Sequence, residues 1–460
     1  MKTMLKYVLI ALLAAACSQK PDGNQTTPVT PSTDEVPAAK VGEPITPWQE
    51  GQFDIHFINT TTGECAFLIF PDGTQMIIDA AGSRNATGAV GSTTNTGIRA
   101  RWDPLRDPDF RVGKFICEYI AKCMEWTGNN TIDYALLTHF HNDHFGRVPD
   151  EPVSDLSPTY VKQSFPEILD TYPVGKMMDR GWPDYDYPFD MVTKSSNAEN
   201  VRNYVTAVKW HAANKNLKVE RFVAGVSDQI QLNRKPGDYP DFKVRNLAVN
   251  GDIWDGGMTE TATSTFPKLS EIVVAKTTDV ANEDKCPAEN HCSCMAKFTY
   301  GNFDYFAGGD AQYNGMSSFP WKDIETPVAK VCGQVDVMKA DHHGVTNTNG
   351  YGFTSSVTGK TADAMKYLNP RCWIINSWTD GHPRQAVYEG VTGLGLDMQI
   401  FITNTCDAMR SYKNFNQVRS SDGHIVVRVE KGGKKYRVYT LTDSDGKMTV
   451  KNVAGPFISR

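Results

Sequence analysis

From residue 52 onward the chain alternates short apolar runs with turn signals. The stretch "FDIHFINTTTGECAFLIFPDGTQMIIDAAGS" holds strand-like runs at 53–59, 65–70 and 75–79, separated by Thr62-Gly63 and Asp72-Gly73. Runs of that length bounded by such turns predict β-hairpins. A helix is predicted near 112–126, then a nearly all-apolar strand from Ile132 to Leu137. The middle, 151–245, reads as helix and loop. Its best helix is 197–215, where Ser196 and Glu199 form a capping box and Val201, Tyr204, Val205 and Val208 recur at helical spacing. After it the strand patterns return. "CSCMAKFTYGNFDYFAGGD" predicts a hairpin turning at Gly301-Asn302, followed by strands in "VDVMKA", "CWIINS", "HIVVRV" and "YRVYTL". The result is a coarse two-fold rhythm of hairpins followed by buried strands, as expected of an α/β protein.

The polar residues that interrupt this pattern collect at strand ends. His139, His141, Asp143 and His144 follow the strand that closes at Leu137, although the chain has only 10 histidines. Imidazole and carboxylate are the ligands that zinc, manganese and iron prefer. Asp310 follows Gly308-Gly309, and Asp341, His342 and His343 follow "VMKA". Alone, Gly-Gly-Asp is an ordinary turn and a His-His pair an ordinary surface feature. Together with the first cluster they place ligand types at the ends of three buried strands, which is how an open sheet builds a site at one edge.

The N-terminus changes the picture of where this chemistry takes place. Lys2 and Lys6 precede an apolar stretch from Tyr7 to Ala16 that is too short to span a bilayer and fits an export signal. Ala14, Ala15 and Ala16 directly before Cys17 resemble the lipobox of bacterial lipoproteins, in which the cysteine becomes the lipidated first residue. Residues 18–47 contain no aromatic residue and are rich in proline, so a flexible tether is expected at 17–47 and a folded body from Trp48 to the end. The expected location is the bacterial cell envelope, with the membrane engaged through a lipid on Cys17. Loss of 1–16 removes two lysines and takes the formal charge from −6 to −8, which disfavours non-specific binding of nucleic acid. Among the cysteines, Cys286, Cys292 and Cys294 cluster around His291; a disulfide involving Cys286 or a zinc knuckle are both open there.

HxHxDH at 139–144, Gly-Asp at 309–310 and His-His-Gly at 342–344 resemble the metallo-β-lactamase superfamily. The opening hairpins and "GHP" at 381–383 are most similar to its ComEC-like branch, and "VDVMKADHHG" is also similar to the teichoic-acid phosphorylcholine esterases. The resemblance covers roughly 52–441, with 151–245 largely outside it as an insertion. It implies an αββα sandwich with a two-metal centre at the sheet edge, holding two divalent ions, zinc first and manganese or iron as alternatives. Position by position, it implies His139 and His141 on the first metal, Asp143 and His144 on the second, Asp310 bridging, and His342 completing the second site with His343 beside or replacing it. Asp79 matches an aspartate that orders the metal-binding loop. His291 is the candidate third histidine of the first site, with Asn290 as a polar alternative.

The chemistry implied is hydrolysis of a small-molecule or polymer-linked phosphoester or phosphodiester by hydroxide activated between the metals. Asp143 handles a proton and His382 donates a proton or hydrogen bond, or else caps a helix. Arg99, Arg101, Arg106 and Arg111 could clamp an anion, and the aromatic stretch 180–189 could wall the pocket. Two other readings stay open: lactone or β-lactam hydrolysis, and a surface lipoprotein that keeps the fold as a binding module.

Overall fold

The computed structural model describes residues 38–82, 111–149, 151–268, 271, 286–312, 320–345, 364–378, 381–442 and 446–460. The export signal, Cys17, the tether as far as residue 37, and Arg99, Arg101 and Arg106 lie outside the described residues.

The expected hairpins form β1 (Phe53–Phe57), β2 (Cys65–Ile69) and β3 (Gln75–Ala80), and the apolar run before the histidines forms β4 (Ile132–Leu136). Parallel to β4 run β5 (Val174–Asp179) and, beyond it, β6 (Lys218–Arg221). Both come from 151–245, so that segment extends the sheet itself. A second sheet is built from β7 (Phe242–Val249), β8 (Asp252–Trp254), β9 (Ala262–Ser264), β10 (Met295–Tyr300) and β11 (Phe303–Ala307), then β12 (Val337–Lys339), β13 (Cys372–Ile375), β14 (Gln399–Ile402) and β15 (Val418–Ser421). The chain then returns to the first sheet as β16 (His424–Val429), β17 (Lys435–Leu441) and β18 (Val450–Ile458), with β16 pairing against β1. The orders are β18-β17-β16-β1-β2-β3-β4-β5-β6 and β15-β14-β13-β12-β11-β10-β7-β8-β9.

Side-chain alternation sorts the core into three layers. Phe53, Ile55, Phe57 and Leu68 of the first sheet meet Phe298, Tyr305, Val337 and Ile374 of the second. Phe57 and Tyr305 pack edge to face with ring centres 5.8 Å apart. On the outer face of the first sheet, Phe67, Ile77 and Ala135 are covered by helices α1 (Val112–Thr127), α3 (Ser164–Thr171) and α5 (Ala198–Asn214). Between α1 and α3 comes the one-turn α2 (Asn142–Phe145), and between α3 and α5 the one-turn α4 (Met191–Lys194). On the outer face of the second, Met338, Trp373 and Ile375 are covered by α6 (Glu325–Cys332), α7 (Ala364–Leu368) and α8 (Gln385–Thr392). This is an αββα sandwich. Because both faces of each sheet are covered, the central strands read as continuous apolar runs.

Two boundaries differ from the sequence reading. The body is already packed at Ala39: Ala39 and Ile45 are buried, and Gly42 N–H donates to Val450 O at 2.8 Å. The low apolar content of 39–47 hid this, since the segment is held by backbone pairing with the β18 end. Helix α5 starts one residue later than a Ser196 cap requires; Asn197 is its cap residue and makes no side-chain capping bond. Helix α1 ends as a left-handed glycine should end it, at Gly128 with φ 66°. Among the described residues no helix is long and apolar enough to cross a membrane.

Candidate metal centre

The parallel strands β3, β4, β11, β12 and β13 all bring their C-terminal ends to one edge, where the two sheets meet. Beyond β4 the chain is fixed by Asp79, at the end of β3. Its Oδ1 accepts from Thr138 N–H and its Oδ2 from Thr138 Oγ1, each at 2.8 Å. Helix α2 then turns Asp143 and His144 back over the same spot. From the other sheet, Gly308 and Gly309 let the chain after β11 press against its neighbours: a Cβ on Gly308 would stand 2.0 Å from Asp341 Oδ1. After β12, His342 and His343 are consecutive non-glycine residues in left-handed conformation, φ 44° and 55°. That kink, costly for L-residues, is the kind of strain that accumulates at functional sites.

Asp310 Oδ2 is the focus of the result. His144 Nε2 lies 3.1 Å from it, and His139 Nε2, His342 Nε2 and His343 Nε2 each lie 3.7 Å away. His141 Nδ1 is 3.1 Å from His139 Nε2, and Asp143 Oδ2 is 3.5 Å from His343 Nε2. Two sets of side chains can each gather one ligand atom around a single ion: Glu64, His144, Asp310 and His343, and His139, His141 and Asp310. Asp310 belongs to both.

The centre gathers buried polar atoms whose hydrogen bonding the protein leaves incomplete. Asp310 Oδ2, His144 Nε2 and both ring nitrogens of His343 are buried with no aligned hydrogen-bond partner. His144 Nε2 stands 3.1 Å from Asp310 Oδ2 without the geometry of a hydrogen bond. Buried polar atoms left unsatisfied together are rare and need an explanation. Burial, reinforced by His144, pushes the His139 imidazole well below its ordinary range, so it is a neutral donor ready for a metal. Burial likewise takes His342 down to about 4. For Asp310 burial opposes ionisation, but His144, His343 and Lys339 outweigh it and keep the carboxylate charged. His144 goes the other way, with Asp310 and Asp79 prevailing over burial.

Other candidates fall around this centre in different ways. His342 faces Asn290, whose Nδ2 is 3.2 and 3.3 Å from its two ring nitrogens, and Gln312 Nε2 at 3.1 Å. His291 is not among the converging ligand atoms. Its Nδ1 accepts the Ala288 N–H at 3.1 Å, and burial lowers its pKa to about 3. His382 packs beside His343 and Trp378, ring centres 5.3 and 4.2 Å away, with Nδ1 buried and unpartnered; it precedes α8 but the cap residue is Arg384. Arg111 is committed to Glu167. Cys286, Cys292 and Cys294 are free thiols, with no disulfide and no metal cluster among them in the described residues.

Several residues were not singled out from the sequence. Lys339 Nζ lies 2.7 Å from Glu64 Oε2 and 3.2 Å from Asp310 Oδ1, almost wholly buried. Glu289 Oε1 accepts from Phe140 N–H at 2.8 Å and from Arg180 Nε at 2.6 Å, so a buried ion pair steadies the loop between His139 and His141. Arg180, the first residue of the aromatic stretch, also lies over the Phe140 ring at 5.0 Å. A cleft of about 270 Å³ opens beside His141 and Asp143; Thr62, Gly82, Asn142, Arg147, Asn197 and Trp378 complete its lining, and none of 180–189 takes part. A charged residue inside an otherwise apolar strand, as Lys339 is, was the one available signal.

No protein-family profile matches the chain, and no curated protein matches it. Among solved structures it is similar to Igni18, described as a novel metallo hydrolase from the hyperthermophilic archaeon Ignicoccus hospitalis. The match covers 77% of this chain and 97% of that one, at 11% identity and a TM-score of 0.33, a likeness too loose to bear on function.

Proposed function

We propose that this protein is a metal-dependent hydrolase of the metallo-β-lactamase superfamily, of the ComEC-like type, acting on a phosphoester or phosphodiester. The observation that carries the reading is the ring of imidazole nitrogens at 3.1–3.7 Å around one unpartnered carboxylate oxygen, Asp310 Oδ2. Two divalent ions fit the donor set: His139, His141 and Asp310 would hold one, His144, His343 and Asp310 the other, with Asp143 adjacent. When bound, such a pair lowers the pKa of water and neutralises charge on a phosphoryl group. Mixed imidazole and carboxylate donors suit zinc or manganese.

The chain's own groups divide the remaining work. Asp143, half-buried at the cleft mouth, can accept a proton. His382 offers a buried, unpartnered Nδ1 toward the same region. Arg147 and the amides of Asn142 and Asn197 give the cleft a polar, cationic wall that favours an anionic substrate. We propose further that the protein is exported and held at the membrane by a lipid on Cys17; Cys17→Ser should then move it from the membrane fraction to the soluble one.

The test is elemental analysis of protein purified without chelator, beside turnover of bis-p-nitrophenyl phosphate, nitrocefin and a simple lactone by the same metal-loaded sample. About two divalent ions and phosphodiester cleavage are expected. Turnover of the lactam or lactone alone would replace the substrate assignment, and bound metal with no turnover of any of them would favour a binding module.

A further inference from the structure

Resting on the metal-centre reading, we infer that Glu64 and Lys339 are positioning residues that aim His343 and Asp310 at the metals. His343 has two ring nitrogens with different surroundings. Nε2 faces Asp310 Oδ2 at 3.7 Å and Asp143 Oδ2 at 3.5 Å, while Nδ1 faces Glu64 Oε2 at 3.6 Å. His144 is placed in a similar way but held more tightly, with Nε2 toward Asp310 and Nδ1 bonded to Asp79 Oδ2 at 2.7 Å, whereas His343 Nδ1 makes no aligned hydrogen bond to Glu64. A ligating histidine backed by a carboxylate on its other nitrogen is held in one orientation and one tautomer. Glu64 stands behind His343 at ion-pair distance, in the place where Asp79 hydrogen-bonds His144.

Lys339 explains why Glu64 acts behind the ligand. Its ammonium, 2.7 Å from Glu64 Oε2, already neutralises that carboxylate. The same ammonium takes Asp310 Oδ1 at 3.2 Å and donates to Gly309 O at 2.5 Å. One oxygen of Asp310 is thereby tied to the protein, and the other, Oδ2, is the one turned toward the imidazoles. The whole unit is buried, with Glu64 and Lys339 at 4% and 1% exposure, so it has little freedom to swing. Glu64 is anchored by its backbone too, since its N–H donates to Asp143 O at 2.8 Å.

Removing such a backing group typically costs 10–100-fold in metal affinity while leaving the ligands in place. The experiment is a competition titration of zinc against a chromophoric chelator, using the full chain as wild type, Lys339→Met, Glu64→Gln and His343→Ala, with circular dichroism to check folding. Expected is wild-type stoichiometry in Glu64→Gln and Lys339→Met with the weaker zinc bound about 10–100-fold less tightly, against outright loss of that zinc in His343→Ala. If Lys339→Met does not fold, Glu64→Gln, which keeps the volume, decides alone. Wild-type affinity in folded Glu64→Gln overturns the inference, and so does loss of a whole zinc, which would make Glu64 a ligand. A wild type that binds no zinc overturns the metal centre itself, and this inference with it.

Discussion

Asp54 and Asp310 are both fully buried carboxylates, and their surroundings treat them in opposite ways. Asp54 receives Arg428 in a two-pronged contact, Nε to Oδ1 at 2.9 Å and Nη2 to Oδ2 at 2.6 Å. The guanidinium is further satisfied by Thr46 O and Oγ1 at 2.7 and 2.9 Å and lies over the Trp126 ring. Burial opposes ionisation of Asp54, and Arg428 overcomes it. At Asp310 only Oδ1 is paired, and Oδ2 is surrounded by imidazoles that make no aligned bond to it. The Asp54–Arg428 pair of the first cluster closes on itself and holds β1 to β16, with His56 Nε2 3.5 Å from Asp54 Oδ2 beside it. The second is left open, and the same fold that completed one buried ion pair had no packing reason to leave the other incomplete. A ligand from outside is the physical completion of such a cluster.

The strongest way to break this comparison is to change the open cluster. Asp310→Asn and His139→Ala should each lose metal and reduce turnover at least about a thousandfold, since the shared ligand or one of three donors is gone. Metal-free Asp310→Asn, isosteric with the parent, should lose about 1.5–3 kcal/mol, the worth of the charged bond from Lys339 to Oδ1, because Oδ2 makes no aligned bond to lose. The closed cluster should answer in reverse. Arg428→Met leaves Asp54 buried with only the His56 ring beside it, at an expected cost of about 3–5 kcal/mol, with metal uptake per folded chain unchanged. Urea unfolding in chelator and metal analysis read both; a severely destabilised apo Asp310→Asn would mean that the two clusters are alike.

Adding metal is the next largest effect. Zinc or manganese at 100–1,000 times its Kd should stabilise wild type by about 2.7–4.1 kcal/mol and leave Asp310→Asn nearly unmoved. Thermal unfolding with and without the ion measures this. An equal shift in both would place the ion elsewhere.

How much of this was legible in the sequence follows from local pattern. The hairpins of β1–β3 and the apolar runs of β4, β12 and β13 announced themselves, because period-two alternation and continuous apolar runs are properties of neighbouring residues. The HxHxDH cluster and the late His-His pair were equally visible. Glu64 was not, since in "TTTGEC" it reads as an ordinary turn residue, and its partner Lys339 lies 275 positions on in the chain. The same holds for Arg180 and Glu289, whose pairing across two sheets no local pattern encodes. Strands β5 and β6 were hidden for another reason. They lie toward the sheet edge, and β6 has no fully buried residue, so the alternation that marks a strand is weak there.

A smaller test uses a second closed cluster. Asp170 accepts from Ser154 Oγ and Tyr160 OH, both at 2.6 Å, and faces His211 Nε2 at 3.0 Å. Burial would raise its pKa, but the bonds from His211, Ser154 and Tyr160 prevail and hold it below the usual 3.8. A carboxyl that binds its proton less readily when folded contributes stability that is complete above about 3.8 and disappears as pH falls through the lowered folded value. Asp170→Asn should therefore cost about 1.5–3 kcal/mol at pH 7, with the gap to wild type shrinking in acid. Urea midpoints at pH 7 and pH 3 measure it, and a gap that is constant with pH would show that the charge contributes nothing.

The smallest expected effect is at the cleft wall, where the open cluster meets solvent. Arg147 is exposed there, beside His141 and Asp143. A guanidinium on such a wall binds an anionic substrate in the ground state and the transition state alike, which lowers KM and leaves kcat alone. Solvent screens an exposed charge, so the contribution is modest, about tenfold in KM for Arg147→Ala with a phosphodiester. Arg147→Lys should recover part of it, because the charge remains while the two-pronged geometry is lost. Added salt should narrow the difference between wild type and Arg147→Ala, as expected for an interaction reached from water. Steady-state kinetics at two ionic strengths distinguish the cases. A fall in kcat at unchanged KM would put Arg147 on the reacting group itself, and the boundary between the buried centre and its cleft would have to be redrawn.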